Sequence, residues 1–177
     1  LLALENIPDL DAPQVELKLY IQNALSGTGA SLAGILRGES FSPRELLYAS
    51  MLPSGNEAAM MLGDYVGDGS LDYFAEMMNE RAAELGAVNT HFVNASGTAY
   101  DMYLITKAAL ENETFRQIVS TRYYYAGEDQ NGNPLHWNTT NFLISPGSTY
   151  YYPYATGVKT GTTDEAGRCL GSTPEKN

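Results

Sequence analysis

The chain has 177 residues, of which 44% are hydrophobic and 18% charged, with 10 Lys and Arg against 21 Asp and Glu and a formal net charge of −11. That is ordinary globular composition, long enough for one domain, or the larger part of one, over residues 1–177. The negative balance argues against nucleic acid and against adhesion to anionic lipid, both of which need clustered cations. No apolar run approaches the length of a membrane span. No His/Cys/Asp cluster has metal-ligand spacing, so neither a metal nor another cofactor is expected. The chain opens on Leu1-Leu2 without Met, so the absence of a visible signal peptide carries little weight. Cys169 is the one cysteine; it cannot form an internal disulfide and is expected to be a small buried strand residue.

Leu1 to Ile7 reads as a helix tail closed by Pro8. Val15 to Ile21 alternates Val, Leu, Leu and Ile with Glu, Lys and Tyr, which predicts a strand. Ser26 to Ser40 is rich in Gly and Ser and reads as loop. Ser42-Pro43-Arg44-Glu45 is a capping box with proline at the first helical position, so a helix should run from Pro43 to about Leu52 and stop at Pro53. Asn56 can cap a second helix over about Glu57 to Val66. A third helix starts at Ser70 and ends at Gly86, with Leu71, Phe74, Met77, Met78 and Leu85 at helical spacing and the methionines as core filler. Thr98-Ala99-Tyr100-Asp101 opens a helix to about Leu110, and a short helix near Thr114 to Val119 follows.

The character then changes. Arg122 to Ala126 and Leu135 to Ile144 read as strands around a turn at Asn131-Gly132-Asn133-Pro134. Thr156 to Thr163 and Arg168 to Ser172 form a second hairpin around Asp164 to Gly167. Helices over about 1–120, then antiparallel strands over about 121–177, give an α+β fold with a helical cluster packed on an antiparallel sheet. Tyr150-Tyr151-Tyr152 could flank a cleft or pack as a surface loop; His91 and His136 read as structural, and Arg168 receives no role.

Two short motifs carry chemistry. Ser54-Gly55-Asn56 falls in the turn between two predicted helices, and Lys159-Thr160-Gly161-Thr162 falls on a predicted strand. They match S-x-N and K-T-G, two of the three signatures of penicillin-recognising acyl enzymes. The third, S-x-x-K, is absent: no serine in the sequence has a lysine three residues later. Read alone, Ser54 and Asn56 are cap and turn residues and Lys159 keeps a strand edge soluble. Read together, they are most of a site for acyl transfer. A serine hydroxyl donates and accepts, and so can relay a proton. An asparagine amide can hold a lysine and a substrate backbone. Glycine at position 161 lets a substrate lie along a strand edge.

The wider sequence resembles the serine-type D-alanyl-D-alanine carboxypeptidases, the low-molecular-mass penicillin-binding proteins of peptidase family S11. Leu1-Leu2-Ala3-Leu4-Glu5-Asn6 is similar to the helix that follows S-x-x-K in that family. Gly27 to Ser31, Leu46 to Leu52, Asn89 to Phe92 with Asn94 and Gly97, and Ala99 to Met102 match its middle. The resemblance implies a β-lactamase/transpeptidase-like fold, here incomplete at both ends, with the nucleophile and its lysine base just upstream of Leu1. It implies an acyl-enzyme that removes the terminal D-Ala from peptidoglycan stem peptides, binds β-lactams and works outside the bacterial cytoplasm, membrane-associated when whole. Ser54, Asn56 and Lys159 would be catalytic. Gly55, Thr160, Gly161 and Thr162 would bind substrate, with the Thr162 N–H as an oxyanion donor. The chain as given should be inactive. Two departures stand out: the family carries more residues between Gly97 and Thr98, and Gly171 to Asn177 breaks its continuous strand. A class A-like β-lactamase, which wants S-D-N where this chain has Gly55, and a non-catalytic cell-wall peptide-binding protein are the alternatives.

Overall fold

The computed structural model describes residues 1–92, 99–164 and 166–175. Asn94, Gly97, the Thr98 cap, Glu165, Lys176 and Asn177 lie outside the described residues. Among the described residues seven α-helices and six strands follow in an α+β order, mainly helical with one short strand pair through residue 120 and then antiparallel hairpins.

Helix α1 (Leu2–Asn6) ends at Ile7, which is extended ahead of Pro8. The strand expected over Val15 to Ile21 is only β1 (Val15–Glu16), paired antiparallel with β2 (Ser40–Phe41). Residues 19–25 form helix α2 (Leu19–Leu25) instead. Val15, Leu17 and Ile21 are the buried apolar residues of that run, and the last two are four apart, a spacing that suits a helix as well as a strand. Lys18 Nζ lies 2.5 Å from the buried Asp64 carboxylate, and the Tyr20 hydroxyl donates to the same group. Burial, and after it the Asp64 carboxylate, pushes the Tyr20 hydroxyl pKa up to about 12.

Helix α3 (Pro43–Met51) is opened by the full capping box: Ser42 Oγ accepts from the Glu45 N–H, and the Glu45 carboxylate accepts from the Ser42 N–H at 2.8 Å. Helix α4 (Asn56–Val66) follows after a four-residue turn. Helix α5 (Leu71–Glu84) is capped by the Ser70 hydroxyl and closed by Gly86 at φ +82°. Met77 and Met78 on α5 are half-buried rather than core, and Met78 lines an apolar cavity of about 240 Å³ with Phe74, Leu85 and Phe92. Helices α6 (Ala99–Ala109) and α7 (Glu113–Ser120) complete the helical part.

The strand part departs from expectation in three places. The hairpin of β3 (Tyr123–Glu128) and β4 (Pro134–Asn138) stops at Asn138 rather than Ile144, because the Asn141 side chain caps a 3-10 turn over Phe142–Ile144 that buries Ile144. Strands β5 (Ala155–Thr163) and β6 (Gly167–Pro174) pair along their length, and β6 continues unbroken to Pro174. Cys169 is exposed, not buried, because β6 packs only against β5 among the described residues and has no covered face.

Two apolar clusters hold these elements together. The larger joins α1, α3, α4 and β4 through Ala3, Leu46, Ala49, Met61 and Trp137. The smaller joins α6, α7 and β5 through Ala109, Phe115, Val119 and Val158. It is through Val158 that the K-T-G strand is seated on the helical part.

Candidate active site

The S-x-N turn is built by the end of α3 and the start of α4. Pro53 ends the first helix, and the Gly55 N–H returns to the Ala49 carbonyl at 3.0 Å. Ser54 between them takes φ +67°, a conformation that costs a non-glycine residue about 1–3 kcal/mol and persists where surrounding structure imposes it. Its hydroxyl is thereby presented to strand β5. Lys159 Nζ donates to Ser54 Oγ at 2.7 Å across 105 positions of sequence, and to the Thr160 carbonyl at 2.7 Å. Burial pushes the Lys159 ammonium below its ordinary range, since a half-buried cation loses hydration.

Gly55 has no room for a side chain. A Cβ there would sit 2.7 Å from the Ala33 methyl and 2.9 Å from the Ala49 carbonyl oxygen. Asn56 does not cap α4 with its side chain, as the sequence suggested; Gly55 is the N-cap and Asn56 the first helical residue. The Asn56 backbone N–H and Nδ2 both donate to the Ser31 carbonyl, at 2.9 and 3.0 Å, with Nδ2 also 3.4 Å from the Ser54 carbonyl. The reason is the loop that lies across the turn, which offers the amide a better acceptor than its own helix.

Thr160 is tied to Thr140, hydroxyl to hydroxyl at 2.5 Å, and the Thr140 N–H donates to the Leu52 carbonyl at 3.2 Å. Thr140 therefore links the end of α3 to the K-T-G strand. Gly161 and Thr162 follow on β5, exposed, opposite Cys169 and Arg168 of β6. A Cβ at Gly161 would meet nothing nearer than Cys169 Cβ at 4.0 Å, so this stretch of strand is open. The structure thus brings Ser54 and Lys159 into contact, places Asn56 in the same turn, joins Thr160 through Thr140, and leaves Gly161 and Thr162 at the exposed end of the strand.

Three contributors escape motif reading: Thr140, the Ser31 carbonyl and Glu57. The Glu57 carboxylate accepts from the Ala33, Gly34 and Ile35 N–H groups at 2.6, 3.0 and 3.4 Å. Their partners lie tens of residues away or on the backbone, so no local pattern marks them. His136 is satisfied by the Tyr123 hydroxyl at 2.6 Å, His91 is exposed, and Tyr150, Tyr151 and Tyr152 are exposed on the loop ahead of β5. Among the described residues no His/Cys/Asp/Glu group is arranged to hold a metal.

The profile of the D-alanyl-D-alanine carboxypeptidase family, peptidase S11, matches residues 18–177. The chain is 35% identical over 177 residues to a D-alanyl-D-alanine carboxypeptidase of Streptomyces sp. strain K15, covering 88% of this chain and 59% of that protein. It is 32% identical to the D-alanyl-D-alanine carboxypeptidase DacF of Bacillus subtilis, covering 94% of this chain and 44% of that protein. The crystal structure of the Streptomyces K15 DD-transpeptidase superposes with a TM-score of 0.87 at 34% identity, over 99% of this chain and 71% of that one. The chain thus spans roughly half the length of these curated relatives.

Proposed function

The chain belongs to the D-alanyl-D-alanine carboxypeptidase family, peptidase S11, and on that premise we propose that the whole protein is a serine D,D-carboxypeptidase. It would remove the terminal D-Ala of peptidoglycan stem peptides through an acyl-enzyme and be blocked by β-lactams as an acyl-enzyme that turns over slowly. It would work on the outer side of the bacterial cytoplasmic membrane, associated with that membrane. The observation that carries this reading is the 2.7 Å contact of Lys159 Nζ with Ser54 Oγ, between two motifs 105 positions apart.

In this reading the attacking serine and its lysine base come from an S-x-x-K segment ahead of Leu1. Ser54 relays the proton from that lysine to the leaving nitrogen, because its hydroxyl can accept and donate in one step. Lys159 polarises Ser54 and attracts the substrate's terminal carboxylate. The donor end of the Asn56 amide is held by Ser31, which leaves its oxygen to accept from the lysine or the substrate backbone. Thr160 and Thr162 offer hydroxyls to the carboxylate, Gly55 and Gly161 keep the approach clear, and the Thr162 N–H is one oxyanion donor.

The clash at position 55 supports this reading over a class A-like β-lactamase. An S-D-N turn would drive its Asp Cβ into Ala33 and the Ala49 carbonyl. Intact-mass analysis after incubation with benzylpenicillin tests the proposal. The whole protein should gain one penicilloyl group and the 177-residue chain none. No adduct on the whole protein would remove the enzymatic reading and favour a peptide-binding protein that keeps the cleft.

A further inference from the structure

We infer that Glu57 is a positioning residue, which sets the Asn56 amide by clamping loop 31–35 onto the start of α4; this rests on the acyl-transfer reading of the Ser54–Asn56 turn. Glu57 follows Asn56 directly and is 3% exposed. An acid in the first turn of a helix ordinarily serves that helix's own N–H groups. Here the carboxylate reaches out of its helix. Oε1 accepts from three successive backbone N–H groups, Ala33, Gly34 and Ile35, a concave nest that suits an anion.

The same short loop grips the motif at two other points. The Ser31 carbonyl takes both the backbone N–H and Nδ2 of Asn56. The Ala33 methyl fills the space that a side chain at Gly55 would need. The back of the loop is held by Trp137 Nε1, which donates to the Ala33 carbonyl at 2.9 Å. Glu57 and Asn56 therefore hold opposite ends of one short loop.

A stabilising role alone accounts poorly for this group. Oε2 is buried without a hydrogen-bond partner, and a carboxylate with one oxygen unserved is costly in an interior. Three N–H groups converge on one oxygen, an arrangement that binds an anion more firmly than a neutral acceptor. Glutamine in its place keeps the size and one acceptor while removing the charge.

The test is a double-mutant cycle in the full-length protein, read as the rate of acylation by a fluorescent penicillin. Glu57→Gln should slow acylation roughly three- to tenfold and Glu57→Ala by more, with Asn56→Ala slower still. In the Asn56→Ala background the effect of Glu57→Gln should fall below about twofold, because its target is gone. Equal factors in both backgrounds would make Glu57 a structural residue only and overturn the inference. If the wild-type protein is not acylated at all, the acyl-transfer reading fails separately, and the clamp is judged by amide exchange and side-chain NMR. Glu57→Gln should then speed exchange at Ala33, Gly34 and Ile35 and shift the Asn56 side-chain amide. An unmoved Asn56 amide would overturn the clamp.

Discussion

The two halves of the candidate site are held in opposite ways. Ser54 to Asn56 sits between helices whose inner faces, at Ala49, Leu52 and Ala58, are at most 1% exposed, and a loop clamps it from above. The K-T-G strand belongs to a hairpin whose outer strand is exposed along nearly all its length. That hairpin is seated by Val158 in a small apolar cluster and by two polar contacts of the site itself, Lys159 to Ser54 and Thr160 to Thr140. The helical half would keep its geometry without the chemistry. In the strand half, the groups that would do the chemistry also hold the strand in place.

Substituting the shared contact should break the comparison most sharply. In the full-length protein Lys159→Ala should lower kcat/KM by roughly ten- to a hundredfold, the effect of losing a charge-assisted hydrogen bond of about 1.5–3 kcal/mol. The melting temperature should move little, because removing the ammonium also removes the desolvation cost of its burial, which offsets the lost contact. Lys159→Arg should recover only part, since a planar fork does not replace a compact ammonium. A stability loss of several degrees with acylation intact would make Lys159 a structural residue.

The rigid half should respond oppositely. Gly55→Ala forces a Cβ into the Ala33 methyl and the Ala49 carbonyl oxygen, and overpacking of that kind costs about 1–3 kcal/mol. Urea titration should show the loss, and an unchanged midpoint would mean that the loop yields freely. On the strand side, Thr140→Val removes one hydroxyl from the pair with Thr160 and should cost about 1 kcal/mol by the same assay. A zero coupling in the Thr140→Val/Thr160→Val cycle would show that the pair does not seat the strand.

The pH dependence of Lys159 sharpens the point. Burial lowers its pKa from the usual 10.5, so between its folded and unfolded values the unfolded chain binds more protons and stability rises with pH. The burden of the half-buried ammonium is fully present at neutral pH and is relieved as pH climbs through the folded pKa toward 10.5. The stability of wild type relative to Lys159→Met should therefore increase between pH 7 and about pH 10.5; a flat difference would remove the burial argument. The smallest effect belongs to exposed Cys169. Cys169→Ser should stay within about 0.5 kcal/mol of wild type, and a maleimide should label the thiol without denaturant.

The sequence by itself determined the helix boundaries that carry local chemistry, such as the Ser42–Glu45 capping box and the Ser70 cap, because those signals lie within one turn of the residues they govern. It also determined the two motifs and their elements, since S-x-N needs a break between helices and K-T-G a strand. Tertiary structure decided the rest. Asn56 turned to Ser31 because a loop 25 residues upstream supplied the acceptor. Residues 19–25 form a helix beside α4, where Asp64 takes both Lys18 and Tyr20. Cys169 stayed exposed because no described element covers β6, and Thr140 and Glu57 entered the site through partners that no local window contains. Periodicity reports what a residue can do within its own element; which groups meet across elements depends on packing.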